Sequence, residues 1–434
     1  MWEPGLVAWV TRYRSRTSPA LEGILDPAVQ KRLGAVVPAV VAPAFNATGL
    51  GIVRDLGRAG VPVIAVDHYP KSIGLTSRYA VPVVSRDPRY DEEGLLQDLE
   101  RIGAALPQRA VLFPAFDDHV WAFSRNAERL EKYFILPFAR WATMQRLADK
   151  ETQMQAAWAA GVDTPKTFFV HGPDDLEEAA REVPFPALFK PLRHQEMRRR
   201  FGVKVVLAET AADLAAAYEK ASICGGLMLQ EIVPGDDQAF YTFGAYHDAS
   251  SRPLGQFISR KIRQHPRDFG ESRIAVSDWV PDVAAASLSL LGELSYHGVS
   301  GTEFKRDPRD GRLKLMEVNA RHWLHHTLAT AAGVNLSTIA YADAVGRPYT
   351  APPQRDGVRW LDLGREARDT AAELRHGQIR PLEVLSGFRG VRVDAVYTLD
   401  DPAPAARELA SAVARDARRL ARKAAERRGA GRRS

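Results

Sequence analysis

Cysteine is nearly absent: Cys224 is the one occurrence in 434 residues. No internal disulfide can form, and a small buried thiol in a reducing cytoplasm is the expectation. Long apolar runs are missing as well. The most apolar stretch, residues 34–53, is cut by Pro38, Pro43 and Asn46, so it reads as a core strand and a turn rather than a membrane span. The opening Met1-Trp2-Glu3-Pro4 has no basic stretch leading into an apolar one, and no secretory signal is expected. Charge excess is missing from most of the chain. The formal net charge is +6, yet residues 407–434 hold ten Lys and Arg against three acids, and the preceding 406 residues hold 49 against 50. A nearly neutral body makes nucleic acid an unexpected partner for the main fold. No solenoid repeat is present.

What is present is the composition of a soluble globular protein, 45% hydrophobic and 26% charged, at a length that fits several packed units. Residues 1–34 carry no clear pattern and read as an N-terminal extension. Between 35 and 140, apolar runs at Val36–Pro43, Pro62–Asp67, Ala80–Val84 and Ala110–Phe116 alternate with helical spacing at Ala47–Ala59, Glu92–Leu106 and Asp118–Tyr133. That alternation predicts a parallel sheet covered on both faces. A larger α+β unit spans 141–350, a small unit 351–406 includes Trp360 and the strand-like Val391–Tyr397, and a basic Ala/Arg-rich tail spans 407–434 after the break at Asp401-Pro402-Ala403-Pro404.

Gly49-Leu50-Gly51 between a strand and a helix, with Asp67 ending the next strand, is half of a dinucleotide fingerprint. Arg54 stands where the third glycine belongs, so a structural βαβ turn is the better reading. The second unit is more informative. Phe185-Pro186-Ala187-Leu188-Phe189-Lys190 ends a buried strand on a lysine, and a desolvated ammonium needs an anion, most simply phosphate. Lys150 opens a helix running from Glu151 to Ala160. Leu227–Gly235 runs from an apolar strand into a polar hinge that can offer backbone groups to a flat heterocycle, with a following carboxylate for ribose hydroxyls. Gly301–Asp307, a turn at Pro308–Gly311, and Leu313–Arg321 read as a β-hairpin. Residues two apart share a strand face, so Glu317, Asn319 and Arg321 project together, joined by Glu303 from the paired strand. Two carboxylates and an amide oxygen suit Mg2+, which takes its other ligands from water and phosphates.

Lys150, the Phe185–Lys190 strand, the Gln230–Gly235 hinge and the Glu303…Glu317–Arg321 hairpin, in this order, resemble the ATP-grasp superfamily. The layout from Ala47–Val63 through Ser259–Pro266 is most similar to carboxylate–amine ligases akin to D-aspartate ligase, and the resemblance covers residues 35–400. It implies an α/β chain in which a pre-ATP-grasp parallel-sheet domain precedes two α+β subdomains clamping ATP. It further implies that Lys150, Lys190 and Lys204 contact the ATP phosphates, and that Gln230 holds the adenine amine. The Glu231 and Val233 backbone would take the ring edge, and Asp237, with Asp236 as its alternative, the ribose. Glu303, Glu317 and Asn319 match the ligands of Mg2+, for which Mn2+ is the alternative. Arg321 would stabilise charge at the acyl centre, with Lys261 and Arg263 as further basic groups.

The chemistry so implied is an acyl phosphate formed from a small-molecule carboxylate and displaced by an amine. The rival readings are an ATP-grasp kinase or carboxylase with another acceptor, and a non-catalytic nucleotide-binding protein. One departure from the family is the segment Arg193–Gly202, which has four arginines and one glycine where a glycine-rich loop is usual. His322, His325 and His326 read as packing or substrate contacts ahead of a zinc site. The tail reads first as a solvated basic helix, with an anionic surface or partner second.

Overall fold

The structure, a computed structural model, describes residues 21–430 apart from 193–195, 266–269 and 378. Most of the extension (1–20) and the start of the Arg-rich segment therefore lie outside the described residues. Three sheets organise the rest. The first runs in the order β3-β2-β1-β4-β5 and is parallel throughout. Its strands are β1 (Ala39–Ala42), β2 (Val63–Asp67), β3 (Ala80–Val84), β4 (Ala110–Pro114) and β5 (Phe134–Ile135). The central strands β1, β2 and β4 are buried at every position, as unbroken apolar runs in a sheet covered on both faces should be. The N-terminal residues that lacked a pattern form helices Glu22–Leu25 and Pro27–Ala35, and Ile24 and Leu33 sink into the core beside this sheet.

Gly49 and Gly51 serve packing. A Cβ on Gly49 would sit 2.3 Å from the Pro43 carbonyl oxygen, and one on Gly51 would sit 2.6 Å from the His326 ring. Arg54 is buried, and its Nε donates to Asp401 at 3.0 Å and its Nη1 to the Val396 carbonyl at 2.8 Å. The glycines and the arginine thus seat the helix Ala47–Arg58, in keeping with a structural turn. The helix expected over Asp118–Tyr133 is interrupted at Asn126, giving Asp117–Arg125 and Ala127–Leu130. The Asn126 amide donates back to the Ala122 carbonyl at 2.8 Å, ending the first segment locally.

The second sheet is four-stranded and antiparallel, in the order β6-β9-β7-β8, with β6 (Thr167–Val170), β7 (Ala187–Pro191), β8 (Val206–Ala208) and β9 (Leu227–Glu231). It has a core of its own around Val170, Phe189, Leu214 and Leu229. The third has the order β14-β13-β10-β11-β12-β15-β16. Its long strands are β10 (Phe240–His247), β11 (Pro253–His265), β12 (Glu271–Ser277), β13 (Gly298–Arg306) and β14 (Leu313–Asn319), and its edge is β15 (Arg359–Leu361) and β16 (Val391–Asp394). The edge pair comes from the segment read as a small C-terminal unit, which here continues the large sheet. Within that sheet Gly244 and Gly301 leave room for the Trp323 indole, since a Cβ on Gly244 would lie 1.8 Å from the ring.

Candidate active site

The site forms where the four-stranded sheet faces the seven-stranded one. Glu303 on β13 and Glu317 on β14 are directly opposite, and Asn319 is opposite Gly301. A bulge makes this possible. The register slips between Glu303 and Phe304, so Leu315 pairs with Phe304 and turns into the core, while Glu317, two residues on, turns to the site. Like charges directly opposite repel, and each of these carboxylates is held by a lysine. Lys150 Nζ donates to Glu317 Oε1 at 3.2 Å, and Lys261 Nζ donates to Glu303 Oε2 at 3.2 Å. Lys150 is buried because it opens the helix Lys150–Ala159 against the hairpin, with Asp149 capping that helix through the Glu151 and Thr152 amides.

Lys190, at the end of β7, donates to Gln230 Oε1 at 3.0 Å, and the Gln230 amide donates to Thr167 Oγ at 2.9 Å. Burial pulls the Lys190 ammonium down to about 8, with repulsion from Lys150 and Lys204 adding to it and Glu317 and Glu303 opposing. Five charged groups from separate elements thus act on one another. The Gln230 side chain, expected to hold an adenine amine, is engaged in aligning Lys190. Lys204 is half-exposed and lies 3.8 Å from Glu271 at the start of β12.

At the hinge, Glu231 accepts from the Lys166 amide at 2.8 Å and from Arg309 at 2.9 Å. Asp237 accepts from both the backbone and the side-chain amide of Gln264. Lys305, which sequence reasoning passed over, donates to the Val233 carbonyl at 2.8 Å. Lys305 and Lys261 lie 4.8 and 4.6 Å from the Phe240 ring centroid. The two-residue spacing of Lys305 from Glu303 was the signal that could have found it.

Two expected neighbours separate. Lys261 and Arg263, two apart on β11, straddle register shifts against β12. Lys261 stays beside Glu303, whereas Arg263 pairs with the buried Glu366 on the helix Leu363–Arg375. Arg321 lies past the end of β14. Its guanidinium holds Asp117 through two 2.7 Å hydrogen bonds and covers the Phe116 ring at 5.5 Å. It therefore spans from the hairpin to the carboxyl edge of the first sheet, and Asp117 is a residue the sequence did not point to.

The histidine cluster is structural. His322 contacts Ser337 Oγ, His325 contacts Ser259 Oγ and His326 contacts the Trp323 carbonyl. Burial lowers all three, His325 to about 3 and His326 to about 4. Among the described residues no three His, Cys, Asp or Glu side chains converge on a metal position. Glu303, Glu317 and Asn319 offer oxygen donors of the kind Mg2+ takes together with phosphate and water.

No family model matches the chain. It is 24% identical over 299 residues to a D-aspartate ligase of Enterococcus faecium (strain Aus0004), covering 66% of this chain and 70% of that one. It is 28% identical over 327 residues to a formate-dependent phosphoribosylglycinamide formyltransferase of Ignicoccus hospitalis, covering 70% and 74%. The ADP complex of an N5-carboxyaminoimidazole ribonucleotide synthetase superposes with a TM-score of 0.61 at 14% identity, over 79% of this chain and 85% of that one. The chain has the ATP-grasp fold. In ATP-grasp terms, the parallel sheet is the pre-ATP-grasp layer and the other two sheets belong to the paired α+β subdomains. Among the described residues no helix is long and apolar enough to cross a membrane.

Proposed function

We propose that the protein joins a small-molecule carboxylate to an amine, using ATP to form an acyl phosphate that the amine displaces. One observation carries this reading. Lys150, Lys190 and Lys204 gather beside the opposed pair Glu303 and Glu317, and burial strains the Lys190 charge. A magnesium triphosphate satisfies both sets at once. Mg2+ held by Glu303, Glu317 and Asn319 would neutralise phosphate charge during transfer.

The remaining roles belong to the chain's own side chains. Gln230 aims Lys190, the Glu231 carbonyl and Val233 amide take the adenine edge, and Asp237, fixed by Gln264, takes the ribose. Arg321 and Lys261 stabilise charge developing on the acyl centre. Arg263, tied to Glu366, positions β11 without touching substrate. In this reading residues 35–140 form the pre-ATP-grasp domain and 141–350 the ATP-grasp domain, to whose large sheet the small unit 351–406 adds its edge strands. Residues 407–434 are the basic tail, whose net charge suits an anionic surface. A cysteine content of one residue supports a cytoplasmic setting.

The test is ADP release by the full-length protein across a panel of amino acids and small peptides. Glu317→Gln and Asn319→Ala should each lower it by at least about a hundredfold without changing the melting midpoint. Wild-type turnover in either variant would sink the metal assignment. ADP release that needs a carboxylate but ignores every amine would replace the ligase with a kinase or carboxylase.

A further inference from the structure

Of the three lysines read as phosphate contacts, Lys150 lies against Glu317 and Lys204 near Glu271, both carboxylates. Lys190 instead donates to an amide oxygen, Gln230 Oε1, at 3.0 Å. A neutral acceptor holds an ammonium less firmly than a carboxylate does. Whatever fixes that amide therefore decides where the ammonium sits.

Three strands of the second sheet build the arrangement. Thr167 on β6 is directly opposite Gln230 on β9, and Gln230 is directly opposite Leu188 on β7. Lys190, two residues beyond Leu188, shares the face that carries Gln230 and Thr167. Phe189 and Leu229 take the other face, in the sheet's own core. Gln230 is 1% exposed, so its amide is out of reach of solvent and must find its partners within the protein. Gln230 Nε2 donates to Thr167 Oγ1 at 2.9 Å, and Thr167 Oγ1 donates in turn to the Pro165 carbonyl at 2.7 Å.

The chemistry of the two ends fixes every proton between them. An ammonium can only donate, and a carbonyl can only accept. The Gln230 atom beside Lys190 must then be its oxygen, its nitrogen must face the hydroxyl, and that hydroxyl must give its own proton to Pro165. Turning the amide over would set an NH2 group against an ammonium, and turning the hydroxyl would set two donors together. The far end is anchored as well. The Lys166 carbonyl accepts from the Glu231 amide at 3.0 Å, and the Lys166 amide donates to the Glu231 carboxylate at 2.8 Å. The Asp163 carbonyl accepts from the Leu315 amide of β14 at 2.8 Å. Pro165 thus stands between two pinned neighbours, on the segment leading from the helix of Lys150 into β6.

We propose that Thr167 is a positioning residue for the nucleotide: through Gln230 it sets the direction of the Lys190 ammonium and leaves the other two N–H groups of that ammonium for phosphate. The inference rests on the reading of Lys190 as a phosphate contact. It adds a residue that acts on the nucleotide only through another side chain. An ammonium already aimed loses less freedom on binding than a loose one, and that difference appears as affinity.

The test is a double-mutant cycle on the full-length protein, with the affinity for ATP and Mg2+ measured by calorimetry and the melting midpoint as the check on folding. Thr167→Val keeps the branched shape and removes the hydroxyl, which leaves Gln230 Nε2 buried without its acceptor. It should weaken ATP by about three- to tenfold, whereas Thr167→Ser, which keeps the hydroxyl, should stay within about twofold of wild type. On a Lys190→Ala background the same Thr167→Val change should leave ATP affinity unaltered, because the group it acts through is gone. Thr167→Ala supplies the same comparison if the valine variant does not fold. Equal weakening with and without Lys190 would overturn the proposal, since Thr167 would then merely support the sheet. Wild-type affinity in Thr167→Val, beside a Lys190→Ala variant that binds weakly, refutes this inference alone. A Lys190→Ala variant that binds ATP as tightly as wild type refutes the nucleotide reading of Lys190, and this inference with it.

Discussion

Lys190 offers the most searching test of the nucleotide site, because its charge is held at a cost. Its ammonium falls from 10.5 to about 8, chiefly through burial and next through Lys150, a penalty of about 3 kcal/mol on the charged form. A triphosphate beside it relieves that penalty and lifts the group back toward its ordinary value. Binding must then take up a proton whenever the free protein has lost one. At pH 7 the free protein is already mostly protonated and uptake is small. At pH 8.5 the greater part of a proton should be taken up. ATP affinity should fall by nearly tenfold for each further pH unit, until the bound group itself begins to titrate. Working at that pH avoids the phosphate's own ionisation near 6. Calorimetry in buffers of differing ionisation enthalpy counts the protons. Lys190→Ala should abolish the uptake and weaken ATP by about 2–3 kcal/mol, through loss of a charge-assisted contact. Equal uptake in wild type and variant would refute the reasoning, since the proton would then belong to another group.

Two further outcomes follow from packing and burial. Asp55 lies beneath His326, accepts from Thr330 and Ser337, and is raised from 3.8 to about 7 by desolvation. The native state holds a proton there that the unfolded chain loses above about pH 4, so this carboxyl lowers stability progressively between pH 4 and 7. Asp55→Asn should therefore gain on wild type by about 2–4 kcal/mol as pH rises across that window, read from denaturant midpoints; a pH-independent difference contradicts the burial argument. Gly244→Ala drives a methyl into the Trp323 ring, which is itself stacked on Phe257, and should cost about 2–3 kcal/mol. Adding Trp323→Leu should restore part of the loss, and an unchanged melting midpoint in the single variant would mean the indole moves aside freely.

The sequence by itself determined which charged groups are available and their order along the chain. A lysine ending an apolar strand, a polar hinge after another, and Glu and Asn at two-residue spacing on a hairpin are local facts. Strand alternation and the cost of burying charge place them, and the resemblance to the ATP-grasp superfamily supplies the roles expected of them. That is why the hairpin carrying Glu303, Glu317 and Asn319 formed where its pattern put it, and why the parallel layer was legible from its unbroken apolar strands. Tertiary structure decided how the charges pair. The slip at Glu303/Phe304 separates Leu315 from Glu317, and the shifts around Arg263 part it from Lys261. Strict alternation carries no mark of a bulge, because a bulge is a property of two strands in register. Arg321 meets Asp117 from 204 positions away, and Arg54 meets Asp401 across 347. No local window contains either pair. The histidines make the same point: their spacing favoured packing or substrate contact over a zinc site, and their separate hydroxyl and carbonyl partners in the fold make them neutral packing groups.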